Sequence, residues 1–376
     1  MKVLFTCGGT AGHINPAIAV AQQLAAMEPQ TEFLFVGAEG NMECDLIPRE
    51  GYAFRSVRIR GFRRGVDPRS VARNLGTLHY LNESVRASRR IIRDFAPDAA
   101  VGTGGYVCFP VLTEAARLGV PTAVHESNAL PGLTTRMLEG RIDEIMVGFE
   151  ESRSYYHRPD KVRVTGTPVR AGFSPTDRDS ARKALGIDPQ ERVVVAAFGS
   201  LGADYMNGVM SALLELLGSE PPFRLIYATG TRYYARVSQT LREKGIAGPR
   251  LDVREYIYDM PAVMTAADVV LCRGGASTIS ELTCIGKPAI LIPSPNVVNH
   301  HQEKNASVLA RAGAARMLLE GAFDAQDLLR ELTELLDRPD ERRAMSEASR
   351  AIGFTDAAER IAAEVLALAR RGHDKK

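Results

Sequence analysis

No run of about eighteen or more apolar residues occurs in this 376-residue sequence, so a membrane-spanning helix is not expected. The N-terminus offers only Val3 to Phe5 before glycines intervene, too short for the apolar segment of a signal peptide. Net charge is nearly absent at +2, and composition therefore gives no global case for a nucleic-acid partner. The five cysteines (Cys7, Cys44, Cys108, Cys272, Cys284) stand far apart with no CxxC pair. Each sits in or beside an apolar segment, so buried free thiols in a reducing cytoplasm are expected. There is no short-period repeat and no low-complexity segment.

What is present is the composition of a soluble globular protein, 45% apolar and 24% charged, in a chain long enough for two cores. Short Val/Ile/Leu-rich runs predict strands at Lys2–Thr6, Glu32–Val36, Phe54–Val57, Ala99–Gly102, Thr122–His125 and Glu144–Val147. A second set is predicted at Val193–Ala197, Arg224–Ala228, Leu251–Val253, Val269–Cys272 and Ala289–Ile292. Amphipathic stretches at Pro16–Met27, Val107–Leu118, Gly208–Leu217 and Ser277–Cys284 alternate with them, and Asp356–Arg370 reads as a final helix. Apolar strands alternating with helices indicate α/β units with parallel sheets covered on both faces. The turn-rich, charged stretch VTGTPVRAGFSPTDRDSARKALGI (164–187) reads as an interdomain connection, after which the pattern restarts.

Each half carries a glycine-rich turn after its first strand, CGGTAGH and FGSLGA. A dinucleotide fingerprint needs glycine where this chain has Cys7, and Glu39 is loosely spaced for a ribose-binding acid, so a nicotinamide site is a near miss. The strand–turn–helix form still points backbone N–H groups at an anion. His13, just beyond the loop, is poorly explained by packing. At a helix N-terminus an imidazole is favoured over an imidazolium and can accept a proton. In the second half, DVVLCRGGASTISELTCIGKPAILIP combines strand, turn, helix and strand. Ala276, Ser277 and Thr278 would offer donors to a pyrophosphate, and Glu281 could accept both hydroxyls of a ribose. Thr278-x-x-Glu281 is equally a capping box, which would occupy the same side chains structurally. Taken with the other loops, the nucleotide reading is preferred.

The stretches GGTAGHINPAIAVA, VGTGGYVCFPV, HESNALPGLTTR, GTPVR, FGSLGA, YIYDM, RGGASTISEL and NHHQEKNA resemble, in order, the MurG family of N-acetylglucosaminyltransferases. The resemblance runs from about Met1 to Asp356. It implies a GT-B fold: two Rossmann-like doubly wound domains facing a cleft, with the last helix crossing back to the first domain. The implied domains are 1–166, joined by the helix at 354–376, for the acceptor and membrane, and 167–353 for UDP-GlcNAc. The implied reaction is inverting transfer of GlcNAc from UDP-GlcNAc to the muramoyl 4-hydroxyl of lipid I, giving lipid II, with no obligatory cofactor or metal. By the same resemblance Ile257 recognises uracil through its backbone, and Ala276, Ser277, Thr278, Ile279, Ser280 and Glu281 hold diphosphate and ribose. Gln302 contacts the sugar, Ser200 and Arg170 steady the diphosphate, and Thr10, Ala11, Gly12 and Asn128 close over the GlcNAc. Gly104, Gly105 and Tyr106 fall on the acceptor side. His13 is the candidate base and Glu126 a second candidate, though a residue at a strand end can instead orient His125 or a backbone. Ala11 stands where the family usually has glycine, and FGSLGA replaces the commoner GGSQGA. His300, His301 and Glu303 do not suggest a metal site, because adjacent helical histidines point apart.

Seven arginines lie between residues 54 and 73, among them Arg60, Arg63 and Arg64, with Asp67 the one acid. Apolar Leu75, Leu78, Tyr80 and Leu81 follow, then Arg86, Arg89, Arg90 and Arg93. This pattern fits an anionic membrane surface, and hence a peripheral protein at the cytoplasmic face of the bacterial plasma membrane. Other cell-wall synthesis proteins are further expected partners. The rival readings are another GT-B glycosyltransferase acting on a glycolipid, a UDP-sugar epimerase, and a non-catalytic nucleotide-sugar-binding protein. Intact His13, Glu281 and Gln302 argue against the last.

Overall fold

The computed structural model describes residues 1–61, 68–169, 172–173 and 177–373, with side chains for all of these but 68–76, 78 and 373. The chain divides into two compact units, Met1–Arg170 with Asp356–Lys376, and Ala171–Thr355.

The first unit is built on a seven-stranded parallel sheet in the order β3-β2-β1-β4-β5-β6-β7. Its strands are β1 (Lys2–Thr6), β2 (Glu32–Ala38), β3 (Ala53–Val57), β4 (Ala99–Gly102), β5 (Thr122–Glu126), β6 (Glu144–Val147) and β7 (Val162–Val164). Residues alternate between the two faces of each strand. Val3 and Phe5 of β1 therefore join one buried cluster, where Phe5 stacks on Phe35 at 5.1 Å. Leu4 joins another with Leu34, Val111 and Val124. The terminal helix Ala357–His373 buries Ile361, Val365 and Leu368 in the first of these clusters, beside Ile14 and Leu24 of the helix Ala11–Met27. Arg371 also bonds the buried Glu144.

The second unit repeats the plan on six parallel strands in the order β10-β9-β8-β11-β12-β13. These are β8 (Val193–Ala197), β9 (Arg224–Ala228), β10 (Leu251–Arg254), β11 (Val269–Cys272), β12 (Ala289–Leu291) and β13 (Ala315–Met317).

The sequence does not reveal β7 and β13. Each is a three-residue edge strand, VRV and ARM, too short for a period to show. The helix expected from Pro16 begins five residues earlier, at Ala11, with Pro16 buried inside it. Only one backbone bond is forgone there, so the proline does not mark the start. The stretch 164–187 is not simply a connection, since it contains the helix Arg178–Ala184. Arg182 is fully buried in the second unit and donates to the Asp268 carboxylate at 2.8 Å and to four backbone carbonyls. A charge that looks solvated in the sequence is an internal anchor. All five cysteines are free; four are buried as expected, but Cys44 is half-buried. Burial pushes the Cys108 and Cys272 thiols up to about 12.

Candidate active site

In both sheets the strand order reverses at a central pair, β1/β4 in the first and β8/β11 in the second. Open parallel sheets bind ligands outside the carboxyl ends of their strands at such a switch point. All four strands there end in glycine-rich turns: CGGTAGH after β1, GTGGY after β4, FGSLGA after β8 and RGGAS after β11.

In the first unit the turns after β1 and β4 touch through backbone. Gly8 N–H donates to Gly104 O at 3.2 Å. A Cβ on Gly105, whose φ is +90°, would lie 2.5 Å from Gly8 O, so that position requires glycine. Gly104, at φ +120°, lies under the His13 ring; a Cβ there would meet Cδ2 at 2.4 Å and Nε2 at 2.8 Å. Thr10 is the N-cap residue in extended conformation and makes no side-chain cap bond, while its hydroxyl lies 3.4 Å from His13 Nδ1. Ala11 is exposed and Gly12 half-buried in the first turn, which also places His13 there.

His13 Nδ1 is 2.9 Å from Gly8 O. A carbonyl can only accept, so Nδ1 carries a hydrogen, and in the neutral ring the lone pair is on Nε2. The Thr103 hydroxyl donates to His13 O at 2.6 Å and ties the same residue to β4.

Glu126, the second candidate base, has a different occupation. Its carboxylate accepts from Asn128 N (3.1 Å), Asn128 Nδ2 (3.0 Å), Gly132 N (2.8 Å) and Thr135 Oγ1 (2.9 Å), and the residue is 7% exposed. Four donors fill its acceptor sites. Its hydrogen bonds thus go to Asn128 and the loop that follows, while its charge acts on His125 against the effect of burial. His125 is buried, with Nε2 2.8 Å from Gly166 O, and burial pulls its pKa below the usual histidine value. Glu39, weighed above for a nicotinamide ribose, faces solvent beside Arg58 at 3.9 Å.

In the second unit the helix Ala276–Ile285 starts from Gly275, which makes no side-chain cap bond. The capping-box alternative is thereby excluded: Thr278 lies within the helix and is not its N-cap. The amides of the first turn have no acceptor inside the helix, and Ala276, Ser277 and Thr278 supply them. Glu281 is one turn further along and 5% exposed. Ile279 packs into the interior, and the Ser280 hydroxyl donates back to Ala276 O at 3.0 Å. Ile257 is buried, while its neighbour Tyr258 is 90% exposed. Ser200 is exposed in the turn after β8, between Gly199 (φ +106°) and Gly202 (φ +81°).

Gln302 Oε1 accepts from Ser294 N at 2.9 Å, which turns its Nε2 the other way. It lines a pocket of about 450 Å³ with Phe198, Arg273, Asn296 and Glu320. The Asn305 amide donates to Gly274 O at 3.1 Å, and a Cβ on Gly274 would lie 2.3 Å from Gln302 O, so the turn and the Gln302 helix are held in contact. Arg273 donates to Glu320 at 2.5 Å and to Ile292 O at 3.0 Å. This pair closes one wall of the pocket across 47 positions of sequence. No motif spacing marks its two members as partners, nor does any mark Glu43, which is completely buried behind the first glycine loop. Among the described residues no group of three or more His, Cys, Asp or Glu could hold a metal ion.

On the basic segment, Arg60 is exposed with its guanidinium 4.6 Å from the Tyr80 ring. Arg63, Arg64 and Arg170 lie outside the described residues. No described helix is long and apolar enough to cross a membrane.

Residues 3–147 match the Glycosyltransferase family 28 N-terminal domain and residues 193–361 the Glycosyltransferase family 28 C-terminal domain. The chain is 41% identical over 361 residues to the UDP-N-acetylglucosamine–N-acetylmuramyl-(pentapeptide) pyrophosphoryl-undecaprenol N-acetylglucosamine transferase of Acetivibrio thermocellus, covering 96% of each. It is 37% identical to the protein so named from Caldanaerobacter subterraneus, covering 96% of this chain and 98% of that one. Among solved structures, Acinetobacter baumannii MurG superposes with a TM-score of 0.76 at 24% identity, covering 97% and 99% of the two chains. A UDP-GlcNAc 2-epimerase from Neisseria meningitidis superposes at 0.64 and 16%, covering 97% and 100%. These superpositions show the fold alone, which a transferase and an epimerase share, and the family rests on the 41% and 37% identities over nearly the whole chain. The chain belongs to glycosyltransferase family 28 and, within it, to the MurG family of N-acetylglucosaminyltransferases.

Proposed function

We propose that this enzyme transfers GlcNAc from UDP-GlcNAc, with inversion, to the 4-hydroxyl of the MurNAc of lipid I, giving lipid II. The observation that carries this reading is the 41% identity over nearly the whole chain, joined to glycine-rich turns at both switch points.

In this proposal the second unit holds the donor. The first-turn amides of Ala276–Thr278 meet the diphosphate, Glu281 takes the ribose hydroxyls, Ile257 presents backbone to uracil, and Gln302 meets the GlcNAc through its amide nitrogen. Ser200 and Arg170 steady the diphosphate, while Thr10, Ala11, Gly12 and Asn128 cover the sugar. As the bond between the anomeric carbon and the diphosphate oxygen breaks, its electron pair goes to UDP. Helix-terminal dipoles stabilise that growing charge more in the transition state than in the ground state. The acceptor O4 forms the new bond to the anomeric carbon from the opposite face and gives its proton to His13 Nε2. Purified enzyme given radiolabelled UDP-GlcNAc and a lipid I analogue with a shortened polyprenyl chain is expected to yield labelled disaccharide-lipid. Donor binding without transfer refutes the acceptor assignment.

We further propose peripheral docking on an anionic membrane, at its cytoplasmic face, where lipid I would be met. Arg60 and the neighbouring Arg63 and Arg64 supply charge, and each basic residue near such a surface contributes about 1 kcal/mol. The helix Leu133–Leu138 adds Leu133 and Met137, 59% and 45% exposed, next to Arg136. Replacing Arg60, Arg63 and Arg64 together by Gln is expected to weaken co-sedimentation with anionic liposomes by about 100-fold, from three such contributions. Unchanged binding sinks the docking surface.

A further inference from the structure

Glu43, the first residue of the helix Glu43–Arg49, is fully buried directly behind the loop that carries His13. Its Oε2 accepts from Gly9 N–H at 3.1 Å. Its Oε1 accepts from Ala38 N–H at 3.0 Å and faces Asn41 Nδ2 at 3.5 Å. Two glycines make room for it: a Cβ on Gly8 would lie 2.2 Å from Glu43 Oε1, and one on Gly37 would lie 2.5 Å from Glu43 Cγ. Acceptance at both oxygens from N–H groups is the pattern of an ionised carboxylate.

Gly9 N–H and Gly8 C=O belong to the same peptide unit. That unit is planar and trans, so the two groups point in opposite directions. Glu43 takes the hydrogen at one end at 3.1 Å, and His13 Nδ1 donates to the oxygen at the other at 2.9 Å. A carboxylate on the N–H polarises the amide and raises electron density on the carbonyl oxygen, because hydrogen bonds in a chain reinforce one another. The same network continues sideways: Asn41 Nδ2 donates to Tyr106 OH at 3.0 Å, on the turn after β4.

We propose that Glu43 is a positioning residue for the transfer reaction: through the Gly8–Gly9 peptide it holds the ring proton of His13 on Nδ1, leaving the Nε2 lone pair for the acceptor hydroxyl. The inference rests on His13 being the base. It gives that imidazole an orienting carboxylate at one peptide's remove, where direct carboxylate–histidine contact is the commoner arrangement.

The test is Glu43→Gln, which keeps the shape but sets an amide NH₂ against either Gly9 N–H or Ala38 N–H. Thermal unfolding checks that the variant is folded. The expected result is a kcat about 10- to 100-fold lower, with the KM for UDP-GlcNAc within about twofold of wild type. Long-range ¹H–¹⁵N spectra of ¹⁵N-histidine-labelled enzyme, with His13 identified by loss of its signals in His13→Ala, should show an Nδ1–H ring in wild type and a redistributed one in Glu43→Gln. In the His13→Ala background Glu43→Gln should lower kcat no further. Equal losses with and without His13, or an unchanged ring tautomer in a slowed Glu43→Gln enzyme, overturn the inference. Should His13→Ala retain full kcat, the base assignment fails and the positioning role falls with it, whatever the ring spectra show. With His13 needed for turnover, an unchanged tautomer refutes the role of Glu43 alone. Should Glu43→Gln not fold, Glu43→Asp, one methylene short of Gly9, takes its place; wild-type kcat and tautomer in that variant overturn the proposal.

Discussion

His13→Ala is expected to lower kcat for GlcNAc transfer by about 10²- to 10⁴-fold, the usual contribution of a positioned general base, with the KM for UDP-GlcNAc little changed. The expectation follows from geometry in the first unit. The ring is held at Nδ1 by Gly8 O and lies with its face over Gly104, where a side chain would collide, and the Thr103 hydroxyl anchors the residue's backbone carbonyl. With Nδ1 engaged by Gly8 O, the nitrogen left with a lone pair for chemistry is Nε2. Loss of kcat with constant KM is the signature of an interaction made only in the transition state. Steady-state kinetics at saturating lipid I analogue measure it, and a raised KM with unaltered kcat would make His13 a binding residue instead.

Glu281 is expected to act in the opposite way. Glu281→Ala should weaken UDP-GlcNAc binding by about 10- to 150-fold, equivalent to one charge-assisted hydrogen bond of about 1.5–3 kcal/mol. Turnover at saturating donor should fall far less. The carboxylate lies near the start of an uncapped helix, only 5% exposed, so hydroxyls that reach it meet little competition from water. Glu281→Gln, which preserves volume in that interior, should shift affinity in the same direction by less. Calorimetric titration with UDP-GlcNAc and with UDP separates binding from catalysis. Donor affinity unaltered in both variants would remove Glu281 from the nucleotide site and leave it a structural role in its helix.

Of the three departures from the family pattern, Phe198 in place of the first glycine of GGSQGA is buried in the core of the second unit, and Ala11 and Leu201 fall in accessible places. Ala11 is exposed at the start of its helix, so its methyl group meets solvent and not the loop. Leu201, which replaces the commoner glutamine of the FGSLGA turn, is 53% exposed. Neither change disturbs the backbone contact between Gly202 and Gly230 that shapes the turn; a Cβ on Gly202 would lie 2.3 Å from Thr229 O.

The α/β class, eleven of the strands and three of the four glycine-rich turns are legible in the sequence, and the turn after β4 enters only through the family motif VGTGGYVCFPV. Those signals are local: a buried parallel strand is a short apolar run, and a turn at positive φ calls for glycine within a few residues. The family resemblance added an order of motifs that local physics does not supply. Tertiary structure decided what each turn faces. Strand order set β1 beside β4 and β8 beside β11, and so brought Gly104 beneath a histidine 91 positions earlier in the chain. It filled the Glu126 carboxylate with four donors, sent Arg182 inward to Asp268, and put Glu43 on the peptide that holds His13. A carboxylate or guanidinium in a sequence has the same charge whether solvated or buried. Only the fold fixes which backbone amides and carbonyls lie within hydrogen-bonding distance of it, and those partners determine whether it serves as base, anchor or orienting group.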